Sequence, residues 1–246
     1  MNLSVGYAKK LVLEDVNLSI PSSSLTVLIG ANGSGKSTLM RTLAGMQPAL
    51  SGEVYIENRL LAQYNPKELS RLRAVVDTNR HGGGALTVAE AVSVGRNTSV
   101  SLFGYLSADC KAAVEDAMTA VGIAQFADRY MATLSDGERQ KVMIARALVQ
   151  DSPVIFLDEP TAFLDVAARI EVMDLLYKLR ETGKTIIMST HDIAPAISRA
   201  DDLIVVDKHS KKISAGDKGR LISDGTLDVA FAGTGVHFDS SILDYR

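Results

Sequence analysis

The stretch Leu25-Thr-Val-Leu-Ile-Gly-Ala-Asn-Gly-Ser-Gly-Lys-Ser37 decides the fold. It begins with an apolar run typical of a strand buried on both faces, and it ends where a helical pattern starts near Lys36. The part from Gly30 to Ser37 matches the pattern G-x-x-x-x-G-K-[ST] in the strand–loop–helix context that a phosphate-binding P-loop requires. The sequence therefore predicts a P-loop protein of the α/β class.

Each residue type in this loop suits the binding of a phosphate. Glycines let backbone N–H groups face an anion without obstruction by Cβ atoms, and the start of the following helix favours negative charge. Lys36 would supply positive charge to the β- and γ-phosphates, and Ser37 would supply a hydroxyl to Mg²⁺. A plain glycine-rich turn is the alternative, and the flanking strand and helix argue against it. We therefore expect ATP and Mg²⁺ here, with the nucleotide contacted by Gly30, Ala31, Asn32, Gly33, Ser34, Gly35, Lys36, Ser37 and Thr38.

Further apolar runs predict the remainder of a mostly parallel sheet. They are short, rich in β-branched residues and separated by helical patterns, as expected for strands covered on both faces. The predicted strands are Leu25–Ile29, Ala74–Val76, Val154–Leu157, Thr185–Met188 and Leu203–Val206.

The strand signal disappears between residues 81 and 150, where three helices are predicted. Two of them open with a capping box, in which a Ser or Thr is followed three residues later by Glu. The second helix stops at a glycine suited to the left-handed position after a helix end. The helices start at Thr87 with Glu90, near Ser107 with a stop at Gly122, and at Ser135 with Glu138.

We interpret the whole chain, 1–246, as a single domain with an insertion. Residues 1–80 and 151–246 would form the α/β core with a C-terminal tail, and residues 81–150 a helical subdomain. Gly82–Gly84 would be a flexible joint at the edge of this subdomain. The tail from Gly216 is predicted to be irregular.

The composition limits the classes of function. With 26 basic and 29 acidic residues the net charge is −3, so no basic field favours nucleic acid or an anionic membrane surface. The single cysteine, Cys110, cannot form an intrachain disulfide, which fits a reducing compartment. The apolar runs are far shorter than the roughly 20 residues that span a bilayer, and the N-terminus has no signal-peptide pattern. We therefore expect a cytoplasmic protein.

A pair of carboxylates, Asp158 and Glu159, follows the apolar run that starts at Val154. Open α/β sheets bind ligands at the carboxyl ends of their strands. Asp158 would reach Mg²⁺ through water, and Glu159 would orient and deprotonate the attacking water. Acidic residues at strand ends are often only turn residues, so the P-loop is what favours catalysis here.

The segment Leu134-Ser-Asp-Gly-Glu-Arg-Gln140 is similar to the LSGGQ signature of ABC ATPases. Alone it is explained as a helix start. The order of P-loop, helical insert, signature and Asp158-Glu159 strand is more specific, and through it the chain resembles these ATPases to about residue 215. The resemblance implies a RecA-like core with an additional antiparallel β segment. It also implies nucleotide contacts from Ser135, Gly137 and Glu138.

Three further residues match positions of this family. Tyr7 resembles the aromatic residue that stacks on adenine, although packing is the alternative. Asp165 resembles the D-loop aspartate that lies at the dimer interface and contacts nucleotide, and it could equally N-cap the following helix. His191, at the end of the Thr185 strand, resembles the switch histidine that contacts the γ-phosphate and takes part in catalysis with Glu159 and Lys36.

Two departures from the family pattern stand out. Thr78 occupies the position of the usual Mg²⁺-contacting glutamine, and its shorter side chain could still reach the metal or its water; Asn79 is the alternative. The signature has Asp136 and Glu138 where Gly and Gln are commonest. A carboxylate aimed at a phosphate would be repelled, so we expect Asp136 to point away from it.

The resemblance implies a head-to-tail homodimer, in which the Ser135 helix of one subunit completes the nucleotide site of the other. It also implies integral-membrane permease subunits as partners, a substrate-binding protein that interacts indirectly, and a peripheral location at the cytoplasmic side of the inner membrane. No nucleic-acid partner is expected. A soluble ABC-type ATPase, an exporter ATPase with separate membrane chains and a degenerate regulatory cassette are the alternatives.

The insert narrows the choice among these classes. Soluble members of the family usually carry two cassettes or long coiled-coil insertions, and exporters usually carry a fused membrane domain, so an importer subunit is favoured by elimination. The segments Leu86–Arg96, Gly104–Asp109 and Val114–Ile123 are similar to ATPases of iron–siderophore, haem and cobalamin uptake. We therefore expect uptake of one of these substrates.

Overall fold

The computed structural model describes residues 2–8, 10–77, 85–96, 107–230, 238–239 and 244–245. Its strands are β1 (Leu3–Tyr7), β2 (Lys10–Val16), β3 (Leu25–Ile29), β4 (Tyr55–Ile56), β5 (Arg59–Leu60), β6 (Arg73–Val76), β7 (Val154–Asp158), β8 (Thr185–Ser189), β9 (Asp202–Asp207), β10 (Lys212–Asp217), β11 (Phe238–Asp239) and β12 (Asp244–Tyr245). Its α-helices are α1 (Lys36–Leu43), α2 (Pro66–Leu72), α3 (Val88–Ser93), α4 (Ala108–Ala120), α5 (Asp136–Leu148), α6 (Val166–Glu181), α7 (Ile193–Arg199), α8 (Lys218–Ser223) and α9 (Thr226–Ala230).

Six strands form the central sheet in the order β10-β9-β3-β8-β7-β6. The neighbours from β9 to β6 run parallel, and β10 pairs antiparallel with β9. Every residue of β3 and β8 is buried, as expected for mostly apolar strands that are covered on both faces. The antiparallel pair β1–β2 forms a separate small sheet. The predicted α/β fold with a mostly parallel sheet and an antiparallel β segment is confirmed.

The two faces of the sheet are covered by two apolar clusters. Leu28 of β3 belongs to the cluster that contains β1, β2 and α1, whereas Val27 and Ile29 belong to the cluster that contains α3 to α7. This split follows from the alternation of side chains along a strand. Helix α1 and the loop before it are therefore held between the central sheet and the β1–β2 pair.

The predicted starts of the three inserted helices are confirmed. Thr87 Oγ1 accepts a hydrogen bond from the Glu90 backbone N–H, and the Glu90 carboxylate accepts one from the Thr87 N–H, which completes a capping box. Ser107 caps α4 by accepting from Cys110 N, and Gly122 follows α4 with a φ of 73°. The division of the chain at residues 80 and 150 stays a prediction, and Gly82–Gly84 lie outside the described residues.

Over residues 216–230 the tail forms the end of β10 and two short helices, so the prediction of an irregular tail is wrong for this part of the chain. Gly216 is part of β10, and Asp217 N-caps α8 by accepting a hydrogen bond from Arg220 N. Leu221 and Leu227 are buried in the large apolar cluster. The burial of these two leucines explains why the segment folds, although its short helices carry only a weak sequence pattern.

Across the described residues, no helix combines the length and the apolar character that crossing a membrane would require.

Replacing Leu176 by Ala tests the packing of α6 on the sheet. Leu176 is fully buried, so its truncation should lower the free energy of unfolding by about 2–5 kcal/mol. Ile170, on the same helix, is 47% exposed, and Ile170→Ala is the matched control, expected to change stability far less. Urea unfolding followed by circular dichroism measures both. Equal losses for the two variants would contradict the described packing.

Candidate functional site

The carboxyl ends of β3, β7 and β8 meet at one edge of the central sheet. The parallel register pairs Asp158 with Ser189 and Leu28 with Ser189. The residues that follow these strands are therefore neighbours in space although they are far apart in sequence. The P-loop follows β3, Glu159 follows β7, and His191 follows β8.

The P-loop backbone takes conformations that favour glycine. Gly33 and Gly35 have φ angles of 72° and 110°, in the left-handed region where other residues are strained. A Cβ atom at Gly35 would also come within 2.5 Å of Val12 Cγ1 in β2. The small sheet thus packs directly on the turn that leads into α1, and it fixes the entry of this helix.

Lys36 is nearly buried at the start of α1. Its ammonium donates hydrogen bonds to the carbonyl oxygens of Gly30 at 2.8 Å and Ala31 at 3.4 Å. Burial lowers the pKa of Lys36, and the nearby carboxylates of Glu159 and Asp158 partly oppose this shift by raising it. The lysine thereby lies in the same electrostatic environment as the two acidic residues predicted to act with it.

Asp158 accepts two hydroxyl hydrogen bonds on one carboxylate oxygen. Ser37 Oγ donates to Oδ1 at 3.1 Å, and Ser189 Oγ donates to the same atom at 2.5 Å. A serine hydroxyl beside a carboxylate is an oxygen donor set of the kind that Mg²⁺ prefers. Ser37 and Asp158 would hold the ion, which supplies positive charge next to the phosphates when bound. Ser189 was missed by the sequence analysis, since a serine at a strand end has no distinctive pattern.

Glu159 and His191 are in direct contact. His191 Nδ1 lies 2.7 Å from Glu159 Oε2, and the His191 backbone N–H donates to the same oxygen at 3.2 Å. The Glu159 backbone has a φ of 51°, a left-handed conformation that is uncommon for a residue with a side chain. Its N–H donates to Ser189 Oγ at 3.0 Å and to the Ser189 carbonyl at 3.1 Å. These bonds stabilise the strained turn and direct the carboxylate towards His191.

A second polar network supports the residues after Glu159 and His191. Asp192 accepts from Thr161 Oγ1 at 2.8 Å and from Arg169 at 2.7 Å. Arg169 Nε also donates to the Leu164 carbonyl at 2.8 Å. The sequence analysis did not single out Thr161, Arg169 or Asp192, because nothing in their spacing predicts that they meet.

Tyr7 and Asp165 lie on the surface. Tyr7 is the last residue of β1, and 48% of its surface is exposed, so its ring is accessible to a ligand. Asp165 accepts a hydrogen bond from Ala168 N at 2.8 Å, so its predicted capping of α6 is confirmed. Adenine stacking by Tyr7 and a nucleotide or interface contact by Asp165 stay predictions.

The signature residues form the start of α5. Ser135 Oγ accepts from Glu138 N at 3.2 Å, Glu138 Oε2 accepts from Ser135 N at 2.8 Å, and Glu138 also pairs with Arg129 at 3.6 Å. A Cβ on Gly137 would lie 3.0 Å from Ala168 Cβ, so α5 and α6 approach closely there. These contacts are with α5 itself, Arg129 and α6, and do not bring Ser135, Gly137 or Glu138 to the P-loop of the same chain.

Thr78 and Asn79 lie outside the described residues, and so the choice between them stays open. Asp77 is the last described residue before them, and its carboxylate lies 3.6 Å from the Arg41 guanidinium of α1. The segment that contains Thr78 therefore begins at an ion pair with the P-loop helix.

A cleft of about 460 Å³ separates the β6 edge of the sheet from α5. It is lined by Ser70, Arg71, Val75, Asp77, Val94, Gly95, Arg96, Met143, Arg146, Ala147, Val149, Gln150 and Asp151. The two carboxylates among these described residues are in ion pairs, Asp77 with Arg41 at 3.6 Å and Asp151 with Lys184 at 2.9 Å. The three lining arginines therefore give the cleft a positive character.

Comparison with known proteins agrees with this geometry. The ABC transporter family model matches residues 13–162. The petrobactin import ATP-binding protein FpuD of Bacillus anthracis is 35% identical over 92% of this chain and 82% of its own length. The iron(3+)-hydroxamate import ATP-binding protein FhuC of Bacillus subtilis is 36% identical over 91% of this chain and 80% of its own length.

A solved structure of the same kind is the dimeric bacterial ABC transporter cassette MJ0796. It superposes with a TM-score of 0.73 at 27% identity, covering 88% of this chain and 97% of the cassette. The matched family model spans the P-loop and the Asp158-Glu159 strand, whose residues meet at the sheet edge described above. This chain therefore belongs to the ABC transporter family, as one of its ATPases.

Proposed function

We propose that this ATPase energises the uptake of an iron chelate through a separate integral-membrane permease. The observation that carries the catalytic part is the meeting of Lys36, Ser37, Asp158 and Glu159 at one edge of the sheet. A cation for the phosphates, a metal-binding pair and a candidate base are the groups that one chain must contribute to phosphoryl transfer to water.

Each side chain has one task in this reaction. Lys36 gives up its hydrogen bonds to the Gly30 and Ala31 carbonyls and pairs with the β- and γ-phosphates, because a charged phosphate attracts an ammonium more strongly than two carbonyl dipoles do. Asp158 and Ser37 would hold Mg²⁺, which would supply positive charge beside the phosphates. Glu159 orients the attacking water and accepts its proton. His191, whose Nδ1 contacts Glu159, contacts the γ-phosphate in this proposal through Nε2, which donates a hydrogen bond when the ring carries both protons.

The working unit is a head-to-tail homodimer. Ser135 N-caps α5 and its backbone N–H donates to Glu138 Oε2, whereas Gly137 lies in the first turn of α5, where backbone N–H groups form a helix start of the kind that favours anions. In a dimer each helix start completes the γ-phosphate site of the other chain. The dimeric state of the MJ0796 cassette supports this arrangement. Loss of the γ-phosphate on hydrolysis then removes the shared anion and separates the subunits.

The permease docks on the positive cleft between β6 and α5. The cleft borders Asp77, so an inserted loop lies next to the segment that contains Thr78 and, through Arg41, next to α1. Arg71, Arg96 and Arg146 suit an acidic loop or the carboxyl end of a short helix. This places the ATPase peripherally at the cytoplasmic face of the membrane.

The iron-chelate assignment rests on the relatives. The printed names of FpuD and FhuC concern petrobactin and iron(3+)-hydroxamate import, and both matches cover most of each chain. The insert between the P-loop and the signature is similar to the same group. The transported molecule itself does not contact an ATPase subunit, so its identity follows from the permease.

Lys36→Ala tests the catalytic site. Removal of the buried ammonium near Asp158 and Glu159 should lower the steady-state ATPase rate at least about a hundredfold. Lys178→Ala, which removes an exposed lysine of α6, should hydrolyse at the wild-type rate. Phosphate release is measured with Mg²⁺ present and after its removal by chelation. Equal rates for Lys36→Ala and the wild type would refute the proposed site.

Glu159→Gln separates binding from hydrolysis. The amide keeps the shape of the side chain but cannot accept a proton as a base, so ATP should bind and trap the dimer. Size-exclusion chromatography with ATP and Mg²⁺ should give a dimer for Glu159→Gln and a monomer for the exposed control Glu181→Gln. A monomeric Glu159→Gln, or one that hydrolyses ATP normally, contradicts the assignment.

Arg146→Glu tests the permease surface. Arg146 is exposed at the cleft, and its charge reversal should repel an acidic permease loop. The tagged chain is purified from detergent-solubilised membranes of its native host, and co-purified integral-membrane proteins are identified by mass spectrometry. The wild type and the distant control Arg220→Glu should retain one permease of a metal-chelate uptake system, and Arg146→Glu should lose it. A soluble partner, or a permease for another class of substrate, would overturn the proposal.

A further inference from the structure

Asp192 directly follows His191 and stands at the N-cap position of α7. Aspartate is among the most favoured N-cap residues, yet the Asp192 side chain makes no capping hydrogen bond. Its two oxygens instead accept from Thr161 Oγ1 and from the Arg169 guanidinium, at 2.8 and 2.7 Å. The carboxylate therefore bonds to Thr161, in the segment after Glu159, and to Arg169, and it does not cap its own helix.

Arg169 bonds two chain segments at once. Nε donates to the Leu164 carbonyl at 2.8 Å, and an Nη donates to Asp192 Oδ1 at 2.7 Å. The Asp192 side chain is only 13% exposed and that of Arg169 is 35% exposed. A charge-assisted pair that is largely shielded from water is stronger and more directional than a surface ion pair.

Apart from Arg169, the two segments are joined through the Thr161 hydroxyl, which lies 2.8 Å from Asp192 Oδ2 and 3.4 Å from Thr190 Oγ1, and Leu164 is held by Arg169 and a short turn. Phe163 has a φ of 65°, and the backbone between Glu159 and Leu164 is closed by two turn hydrogen bonds, Ala162 N to Glu159 O and Leu164 N to Thr161 O. A left-handed residue in such a turn persists only where neighbouring groups hold it. Arg169 and Asp192 provide that restraint from the two sides.

We propose that Arg169 is a positioning residue that makes the His191 turn and the segment 161–165 move as one unit. A displacement of His191 at the γ-phosphate is transmitted through Asp192 and Arg169 to Leu164 and the start of α6. The same α6 contacts the signature helix, where Gly137 faces Ala168. One guanidinium therefore ties the state of one nucleotide site to the two surfaces that face the partner subunit. The inference rests on the proposed roles of Glu159 and His191.

Lysine substitution distinguishes this role from a requirement for charge. Lysine keeps the positive charge but lacks the planar fork that bonds Leu164 and Asp192 together. In Arg169→Lys, kcat should fall about tenfold to a hundredfold, since a small misplacement of a catalytic group has such an effect. The KM for ATP should stay within about twofold of the wild type, because the P-loop contacts are untouched.

Arg199 offers a matched control on the same two helices. It joins α7 to α6 through an ion pair with Asp174, with Nε donating at 2.7 Å, at a point remote from His191. Arg199→Lys should reduce thermal stability less than Arg169→Lys, because the Asp174 side chain is 45% exposed, and it should leave kcat unchanged. If Arg199→Lys lowers kcat equally, Arg169 only supports the packing of α6 and α7, and the inference is wrong.

Hydrogen–deuterium exchange supplies a readout that does not depend on activity. In Arg169→Lys the backbone amides of 161–165 and of 191–193 should lose protection together, whereas Arg199→Lys should leave both segments protected as in the wild type. Loss of protection in only one segment, or wild-type kcat in Arg169→Lys, would overturn the inference.

Glu159→Gln keeps the two proposals distinguishable: if it hydrolyses ATP at the wild-type rate, the role of Glu159 fails, whatever the result for Arg169.

Discussion

Lys36 is buried at the same sheet edge as Asp158 and Glu159, whose negative charges oppose the effect of its burial, and this placement sets the requirements on the elements around the site. Removing a charged group from water costs free energy. Each of these three groups can therefore be shielded from water only where the opposite charges and its own hydrogen bonds offset that cost. This requires β3 and β7 to end at the same level, with β8 between them to supply Ser189. The parallel register, the position of α1 and the cover formed by β1 and β2 all serve that arrangement.

Residues that act locally could be predicted from the sequence. The strand–loop–helix stretch at Gly30–Ser37, the capping boxes at Thr87 and Ser135 and the capping of α6 by Asp165 are each defined within a few residues, and all are present in the structure. The same reasoning located Glu159 and His191 at neighbouring strand ends, because parallel strands bring their carboxyl ends together.

Contacts between distant segments could not be predicted in this way. Ser189, Thr161 and Arg169 have unremarkable neighbours in the sequence, and their partners are fixed only when β7, β8 and α6 pack. The C-terminal helices α8 and α9 were predicted as an irregular tail, and this error also comes from contacts between distant segments. Their local pattern is weak, and it is the burial of Leu221 and Leu227 against the sheet that stabilises them.

The left-handed backbone of Glu159 has a consequence for how this site can vary. A residue with a side chain at such a φ costs on the order of 1 kcal/mol relative to glycine. The fold alone would thus favour glycine at the position where the carboxylate stands. Under the proposed role of Glu159, stability and turnover therefore favour different residues at this position, so a chain freed from that role would be expected to lose Glu159 while keeping its sheet intact.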